Sequence, residues 1–392
     1  MAGTQEATMA ADNHESITCH ECELPLAIPE LTHNQNAHCP RCGYRLTSHK
    51  RNHEQAIVSL ALTALIFLGF SLPFEFLSFS SQGLAQSMNL PGSIRILANN
   101  EYLGLAALLL LVIFILPAAI LLSLLYLYTC HLLKVKPLGA ARLAKMIYLF
   151  LPWSMVEIFL VGVTVSLIKI VSLADVGLGL SFYSYIGFTL TTVATLVYVD
   201  KHQIKKTFDV DFPHSKINQS LSIQRTWALL LTSVILYVPA NLLPIMYTRT
   251  LGQDEPSTIM GGVLLLWKLG SYPIALVIFI ASVFVPVAKM IILIWLNYTV
   301  QKGFTGNTQS RIFWYRVTEF IGRWSMVDVF VVAILVSLIQ LGNLMSIYPG
   351  PAAMAFCGVV IATMLAAMTF DTRLMWNNDQ RTDNNHGADK QQ

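Results

Sequence analysis

Eight separate runs of mostly apolar residues, each close to 20 residues or longer, constrain this chain more than any other feature. They fall at 57–79, 102–131, 144–171, 181–199, 226–247, 272–297, 316–342 and 351–371. A helix rises 1.5 Å per residue, so a run of this length crosses a hydrocarbon core of about 30 Å. In hydrocarbon every backbone N–H and C=O must find its partner inside the segment, which a helix achieves. The expected fold class is an all-α polytopic membrane protein with about eight transmembrane helices; the third run is long enough to be split or tilted. Charged residues make up 12% of the chain, against about a quarter in soluble domains, and hydrophobic residues 55%. That balance excludes a disordered chain and argues against a soluble enzyme. The net charge of +3 is too small and too scattered for nucleic-acid binding.

Orientation follows from the basic residues. All but six of the 25 Lys and Arg lie in the two tails, in the loops 132–143, 200–225 and 298–315, or at the span ends beside them. Arg95, Arg249 and Lys268 stand on the opposite side; Lys169, Lys289 and Arg323 lie inside spans or near their ends. Both termini are therefore expected in the cytoplasm. Residues 1–56 are polar, with no apolar stretch behind a basic start, so no cleavable signal peptide is expected.

The chain also repeats itself. Trp153-Ser154-Met155-Val156-Glu157-Ile158-Phe159 returns 171 residues later as Trp324-Ser325-Met326-Val327-Asp328-Val329-Phe330. At the same offset Pro73 maps to Pro244, Gly179 to Gly350 and Asp200 to Asp371, whereas Pro117 and Pro286 match at 169, so one loop differs by about two residues. Each repeat holds four spans, an even number, which makes the halves parallel, with a pseudo-twofold axis along the membrane normal. The expected division is a disordered tail at 1–16, a cysteine head at 17–48, a first four-helix repeat at 57–199, a cytoplasmic linker at 200–225, a second repeat at 226–371 and a disordered tail at 377–392.

Four of the six cysteines lie in the head, as Cys19-His20-Glu21-Cys22 and Cys39-Pro40-Arg41-Cys42. Two-residue spacing lets a tight turn aim both thiolates at one ion, and two such knuckles complete a four-cysteine, zinc-ribbon-like tetrahedral site. In the cytoplasm this spacing indicates metal rather than disulfides. Gly43 suits a position of positive φ after the second knuckle. Zinc is favoured, since four thiolates leave no open position for catalysis; a rubredoxin-like iron uses the same ligands and is the alternative. The plain reading of the head is structural, a unit of about thirty residues that does not fold without its metal.

Ionisable residues at membrane depth are costly and usually face a bundle interior or a wet cavity. Glu157 in the third run and its repeat mate Asp328 in the seventh qualify. So does Lys289 in the sixth, about 12 Å from that helix's cytoplasmic end. Arg323 lies about one turn from Asp328, and Thr363 falls at comparable depth. Lys289 maps onto Ile120 or an apolar neighbour and Arg323 onto Pro152, so the second half alone carries a full set of opposite charges. Two readings of a Lys289–Asp328 pair stand side by side: an acid and a base that exchange partners and couple protons to a conformational step, or a static ion pair that pins helix packing. Arg323 is expected to snorkel to the interface. Pro117 and Pro286 either open a cavity or shape the bundle. No phosphate-binding Gly-rich loop and no hydrolase motif is present, and no catalytic residue is assigned.

Together these features resemble the paraquat-inducible protein A family of Gram-negative inner-membrane proteins. The residues that carry the resemblance are the Cys19/Cys22/Cys39/Cys42 head, Pro239-Ala240-Asn241-Leu242-Leu243-Pro244, Gly322-Arg323-Trp324-Ser325-Met326-Val327-Asp328 and Asp371-Thr372-Arg373-Leu374-Met375-Trp376, over roughly 17–376. The resemblance implies four-span halves like tetraspanin or claudin bundles, each with a small extracellular sheet. It implies a non-enzymatic role in passing phospholipid to or from a tunnel made by a periplasmic MCE-domain partner, with proton coupling as the energy source. Lys289, Asp328, Glu157 and Thr363 match the family's membrane-embedded polar positions. One departure is plain: the family usually carries a second cysteine head before the second half, and 200–225 holds no cysteine. Two other readings remain: a membrane redox protein with iron in the head, and a structural anchor for an MCE tunnel.

Overall fold

The structure, a computed structural model, describes residues 16–27, 35–48, 50, 52–81, 84–99, 103–171, 175–210, 218–250, 253–268, 270, 272–304, 308–338 and 345–376. The expected tails at 1–16 and 377–392 lie outside these residues, except for Ser16, which opens the first strand. Eight helices are long and apolar enough to cross a membrane: His53–Ser71, Leu103–Leu132, Ala140–Ile168, Leu180–Tyr198, Gln219–Leu242, Ala275–Lys302, Thr308–Ser337 and Pro351–Thr369, numbered here as spans 1 to 8. They agree in number and order with the eight apolar runs.

Spans 3 and 7 are each broken at the repeated Trp-Ser-Met. Span 3 runs as a helix over Ala140–Phe150, a tight turn over Leu151–Trp153 and a helix from Val156. Span 7 stops at Trp324 and resumes at Val327. Pro152 accounts for the first break, since it has no N–H and its ring crowds the preceding turn. The second break has Arg323 in that place, yet the helical bonds resume identically: Phe159 N–H donates to Met155 O and Phe330 N–H to Met326 O. Spans 2 and 6 each widen into a π turn, over Leu110–Ile115 and Ile280–Phe284, just before Pro117 and Pro286. The wide turn absorbs the missing donor and the ring clash that an uninterrupted α-helix cannot.

Within the first half, span 1 packs on spans 2 and 4; within the second, span 5 packs on spans 6 and 8. The halves meet where the later segments of spans 3 and 7 cross. A Cβ on Gly162 would stand 3.0 Å from that of Phe330, so a glycine permits the close approach that packing in lipid depends on. Phe76, Phe159, Phe182, Tyr185, Phe188 and Phe330 form an aromatic cluster beside this crossing. Of the eight spans, span 7 is the most enclosed, with 72% of its apolar stretch buried, and span 5 the least, with 17%.

Among the described residues ten short strands complete the fold. Four belong to the head: β1 (Ser16–Thr18) pairs with β2 (Pro25–Ala27), and β3 (Asn36–His38) with β4 (Arg45–Ser48). In the first half β5 (Leu77–Ser81) and β6 (Leu84–Met88) form a hairpin, and β7 (Asp175–Leu178) joins the other edge of β5. The second half repeats this with β8 (Met246–Thr250), β9 (Gln253–Ser257) and β10 (Met345–Pro349) in the order β10-β8-β9. These are the two small sheets that the resemblance implied, both at the end of the bundle opposite the head. Across the β8–β9 hairpin, Arg249 holds Asp254 in a two-point ion pair at 2.6 and 2.9 Å, whose hydrogen bonds keep the Asp254 carboxyl below its usual range.

Each sheet is locked to its last span by one glycine. Gly179 N–H donates to Phe76 O and Gly350 N–H to Ile245 O. A Cβ on either glycine would fall 1.9 Å from Glu75 O or 2.0 Å from Pro244 O. This corrects one correspondence read from the sequence: Pro244 occupies the place of Glu75, not of Pro73. The offset here is 169, as for Pro117 and Pro286, and it becomes 171 only after span 2, in the loop before span 3.

Candidate functional site

Two groups of polar side chains stand out. In the head, each knuckle is a tight turn at the tip of a hairpin. Glu23 N–H donates to Cys19 O and Gly43 N–H to Cys39 O, which brings each Cys-x-x-Cys pair to the inside of its turn. Gly43 has φ +71°, as expected, and the matching residue of the first knuckle, Glu23, has φ +55°. The four sulfurs lie within 4.8 Å of one another, with Cys19–Cys42 and Cys22–Cys39 each at 3.5 Å. All four residues are buried.

The donor set fits a thiophilic cation. Burial pushes the Cys42 thiol up to about 12 and raises Cys22 further, with the neighbouring sulfurs adding to both. Burial also works against Cys39, but backbone N–H donors of Cys42 and Arg41 outweigh it and bring that thiol below its ordinary value. Four thiolates cannot share so small a buried volume without a compensating charge, which a metal cation held by Cys19, Cys22, Cys39 and Cys42 would supply. The four cysteines together can hold a metal ion; Cys130 and Cys357 stand apart from them.

The second group lies in the membrane part of the second half. Asp328 sits in the first turn of the resumed helix of span 7, where the exposed N–H groups favour a carboxylate. Its Oδ2 accepts from Ser282 Oγ at 2.6 Å, and Ser282 is in the π turn of span 6. Lys289, two helical turns further along span 6 and 3% exposed, donates from Nζ to Thr363 Oγ1 of span 8 at 3.1 Å. Gly322 makes room for that amine, since a Cβ there would lie 2.8 Å from Nζ. Spans 6, 7 and 8 thus converge on two hydroxyl-mediated contacts. Lys289 and Asp328, read as a pair in the sequence, each take a hydroxyl partner in this structure, and no ion pair joins them among the described residues. Arg323 is half-buried at the end of the first segment of span 7, and no hydrogen bond links it to Lys289 or Thr363 among the described residues. The side chain of Lys169 and its mate Gln340 lie outside the described residues.

Sequence reasoning missed Ser282 and the steric part of Gly322. Ser282 was findable: it is seven residues before Lys289, on the same helix face. Gly322 was quoted only as part of a motif.

The first half places different chemistry at the same points. Glu157 begins the resumed helix of span 3 as Asp328 does in span 7, and is half-buried. Ile113 and Ile120 stand where Ser282 and Lys289 stand. Thr192, the mate of Thr363, is buried, and its hydroxyl has no partner among the described residues; the same holds for the Tyr185 hydroxyl.

Beside Asp328 is a recess whose apolar walls, which include Leu105, Ile245, Val329, Ala353 and Phe356, leave a cavity of about 0 Å³. A second, with a cavity of about 20 Å³, lies between the halves near the sheet end, lined by Met88, Ile94, Phe159, Ile334 and Ser337 among others. Neither has room for an acyl chain in this conformation.

The model of a family described as paraquat-inducible protein A matches residues 55–209 and again 223–380, one match per half. Intermembrane transport protein PqiA of Escherichia coli (strain K12) is 36% identical, covering 94% of this chain and 97% of that protein. A probable intermembrane transport protein of Haemophilus influenzae is 27% identical, with coverages of 92% and 95%. Lipophilic envelope-spanning tunnel protein A of E. coli is 26% identical, with 92% and 90%. No solved structure matches the chain.

Proposed function

The chain belongs to the paraquat-inducible protein A family, and we propose that it is the inner-membrane component of an intermembrane lipid transport system, passing phospholipid to or from a periplasmic MCE-type partner. Both termini are then cytoplasmic, the head carries zinc, and the two sheets face the periplasm. The printed names of the relatives, as transport and tunnel proteins, support this reading.

The observation that carries it is the asymmetry of the halves. Both halves place a carboxylate and a threonine at these points, but only the second adds the buried Lys289 and Ser282 that meet them across three spans, where Ile120 and Ile113 satisfy the same scaffold in the first. Static packing alone does not require them, because a buried charge costs several kcal/mol that an isoleucine avoids. Lys289 has only a hydroxyl partner among the described residues, so gain or loss of its proton changes its hold on Thr363 without breaking an ion pair. That is the element at which proton movement is coupled to rearrangement of spans 6 and 8, with Asp328 and Ser282 as the second contact and Arg323 at the entrance on the head side. Glu157 is the first half's remnant of the same site. One observation favours a structural anchor instead: neither the recess beside Asp328 nor the one between the halves has room for a lipid chain.

The test is co-purifying lipid identified by mass spectrometry, and lipid transfer to the partner from proteoliposomes, for wild type and the Lys289→Ala/Asp328→Ala double variant. The transport reading expects transfer to be lost in a folded variant that still binds its partner. Undiminished transfer would establish the anchor.

A further inference from the structure

The relatives and the sequence leave the single cysteine head without a task. Its contacts give it one. On one side it is held to the first half. Asp200, at the end of span 4, accepts at Oδ2 from Thr47 Oγ1 at 2.8 Å and from Ser48 N–H at 2.9 Å. The same aspartate caps the helix Lys201–Phe208 by accepting from His202 N–H at Oδ1, and Gln203 Nε2 of that helix donates to Ser48 O at 2.7 Å.

On the other side the head is held to the second half. Arg316 of span 7 donates to Glu21 at 2.6 Å, with the Glu21 side chain only 10% exposed. Arg373, just past span 8, donates to Glu23 at 2.9 Å, and the Arg41 guanidinium lies 4.1 Å from the ring centre of Trp376. Leu296, Val300, Ile312, Phe370 and Leu374 close an apolar cluster over the four cysteines. Arg373 is itself aimed by Asp371, which accepts from Nε at 2.8 Å and Nη2 at 2.7 Å. Asp371 is the repeat mate of Asp200. Equivalent aspartates at the ends of spans 4 and 8 therefore serve opposite edges of one head.

The contacts to the second half come from the metal knuckles. Glu21 lies between Cys19 and Cys22, Arg41 between Cys39 and Cys42, and Glu23 directly after Cys22. Glu23 holds a left-handed conformation that disfavours any residue with a side chain by about 1–2 kcal/mol. The other knuckle has glycine at that position, so the carboxylate is kept there against local preference. The contacts to the first half come instead from β4, next to span 1 in the chain.

We infer that the head is a metal-dependent brace between the two membrane halves, bound to the first through Asp200 and to the second through Glu21, Glu23 and Arg41. The four cysteines fix the knuckles only when they share an ion, so the grip on the second half exists only in the loaded head. The inference does not rest on the transport reading: it concerns how the halves are joined.

The test is hydrogen–deuterium exchange on the full-length protein in nanodiscs, zinc-loaded and then stripped with a chelator. Stripping is expected to speed exchange at 372–376 and 201–208 by about tenfold or more, the signature of local opening. Faster exchange confined to the head itself would overturn the brace. A Glu21→Gln/Glu23→Gln variant that still holds one metal per chain is expected to open 372–376 and leave 201–208 as they were; unchanged exchange at 372–376 would likewise overturn it. Should that variant lose metal, Arg316→Gln/Arg373→Gln, changed on the bundle side alone, carries the same two outcomes.

Discussion

In the second half Lys289 reaches Thr363 and Ser282 reaches Asp328, while the first half sets Ile120 and Ile113 at the positions of Lys289 and Ser282 and leaves the Thr192 hydroxyl without a partner among the described residues. Around this difference nearly everything else is shared: the break at Trp-Ser-Met, the π turn before a proline, the three-stranded sheet and the glycine that locks it. Duplicated scaffold and duplicated chemistry have therefore parted. Both halves share what the backbone requires, together with the carboxylates Glu157 and Asp328 and the threonines Thr192 and Thr363. Lys289 and Ser282, present in the second half alone, are what packing does not require, and in the first half a buried Thr192 hydroxyl with no partner among the described residues stands where the lysine is missing, at a cost of about 1–3 kcal/mol.

The largest effect expected lies outside both halves. Removing the metal, or Cys19→Ser, should unfold the head, because metal binding of about 10–16 kcal/mol in comparable small units is their folding energy. Circular dichroism of the head's strands together with metal stoichiometry checks this. Retention of metal should also weaken on acidification, since thiols raised like Cys22 and Cys42 bind protons that the ion must displace. A head that kept both its metal and its contacts with a ligand removed would break the reading of the site.

Next comes the contrast itself. Lys289→Ala should lower lipid transfer about tenfold or more, whereas Ile120→Ala should act through stability alone, costing about 2–5 kcal/mol by cavity formation. Equal losses of transfer at equal stability would mean that the halves work alike. Gly179→Ala and Gly350→Ala should destabilise by similar amounts, on the order of 3 kcal/mol, because each methyl would meet a carbonyl oxygen at about 2 Å. Thermal melts that separate the two would deny the shared scaffold.

The smallest difference is the sharpest. Thr363→Val removes the acceptor from Lys289 and should cost about 1–3 kcal/mol. Thr192→Val removes a hydroxyl with no partner among the described residues and should be neutral or slightly stabilising. Matched melts that reversed this order would place a partner at Thr192 and bring the two sites back together.

Much of the fold was legible in the sequence because its signals are local. Hydrophobic runs fix helices by length, lysines and arginines set an expected orientation, the duplication shows as identity at an offset of 169 that becomes 171 after span 2, and two Cys-x-x-Cys turns point to a metal-binding site by spacing alone. Each depends on a few neighbouring residues and on the solvent around them. The strands were not legible in the residues themselves: β5 to β10 have four or five residues each and gain stability only from pairing, in β7 and β10 with a partner about a hundred residues away. The partners of Lys289 and Asp328 belong to the same class. Charge attraction on paper joined them to each other, but helix rotation and the π turn of span 6 turned each toward a hydroxyl on a different span. The place of the head was decided last. Nothing near Glu21, Glu23 or Asp200 in the chain says that they meet Arg316, Arg373 and Thr47, because those meetings exist only after both halves have folded and brought their ends to one face.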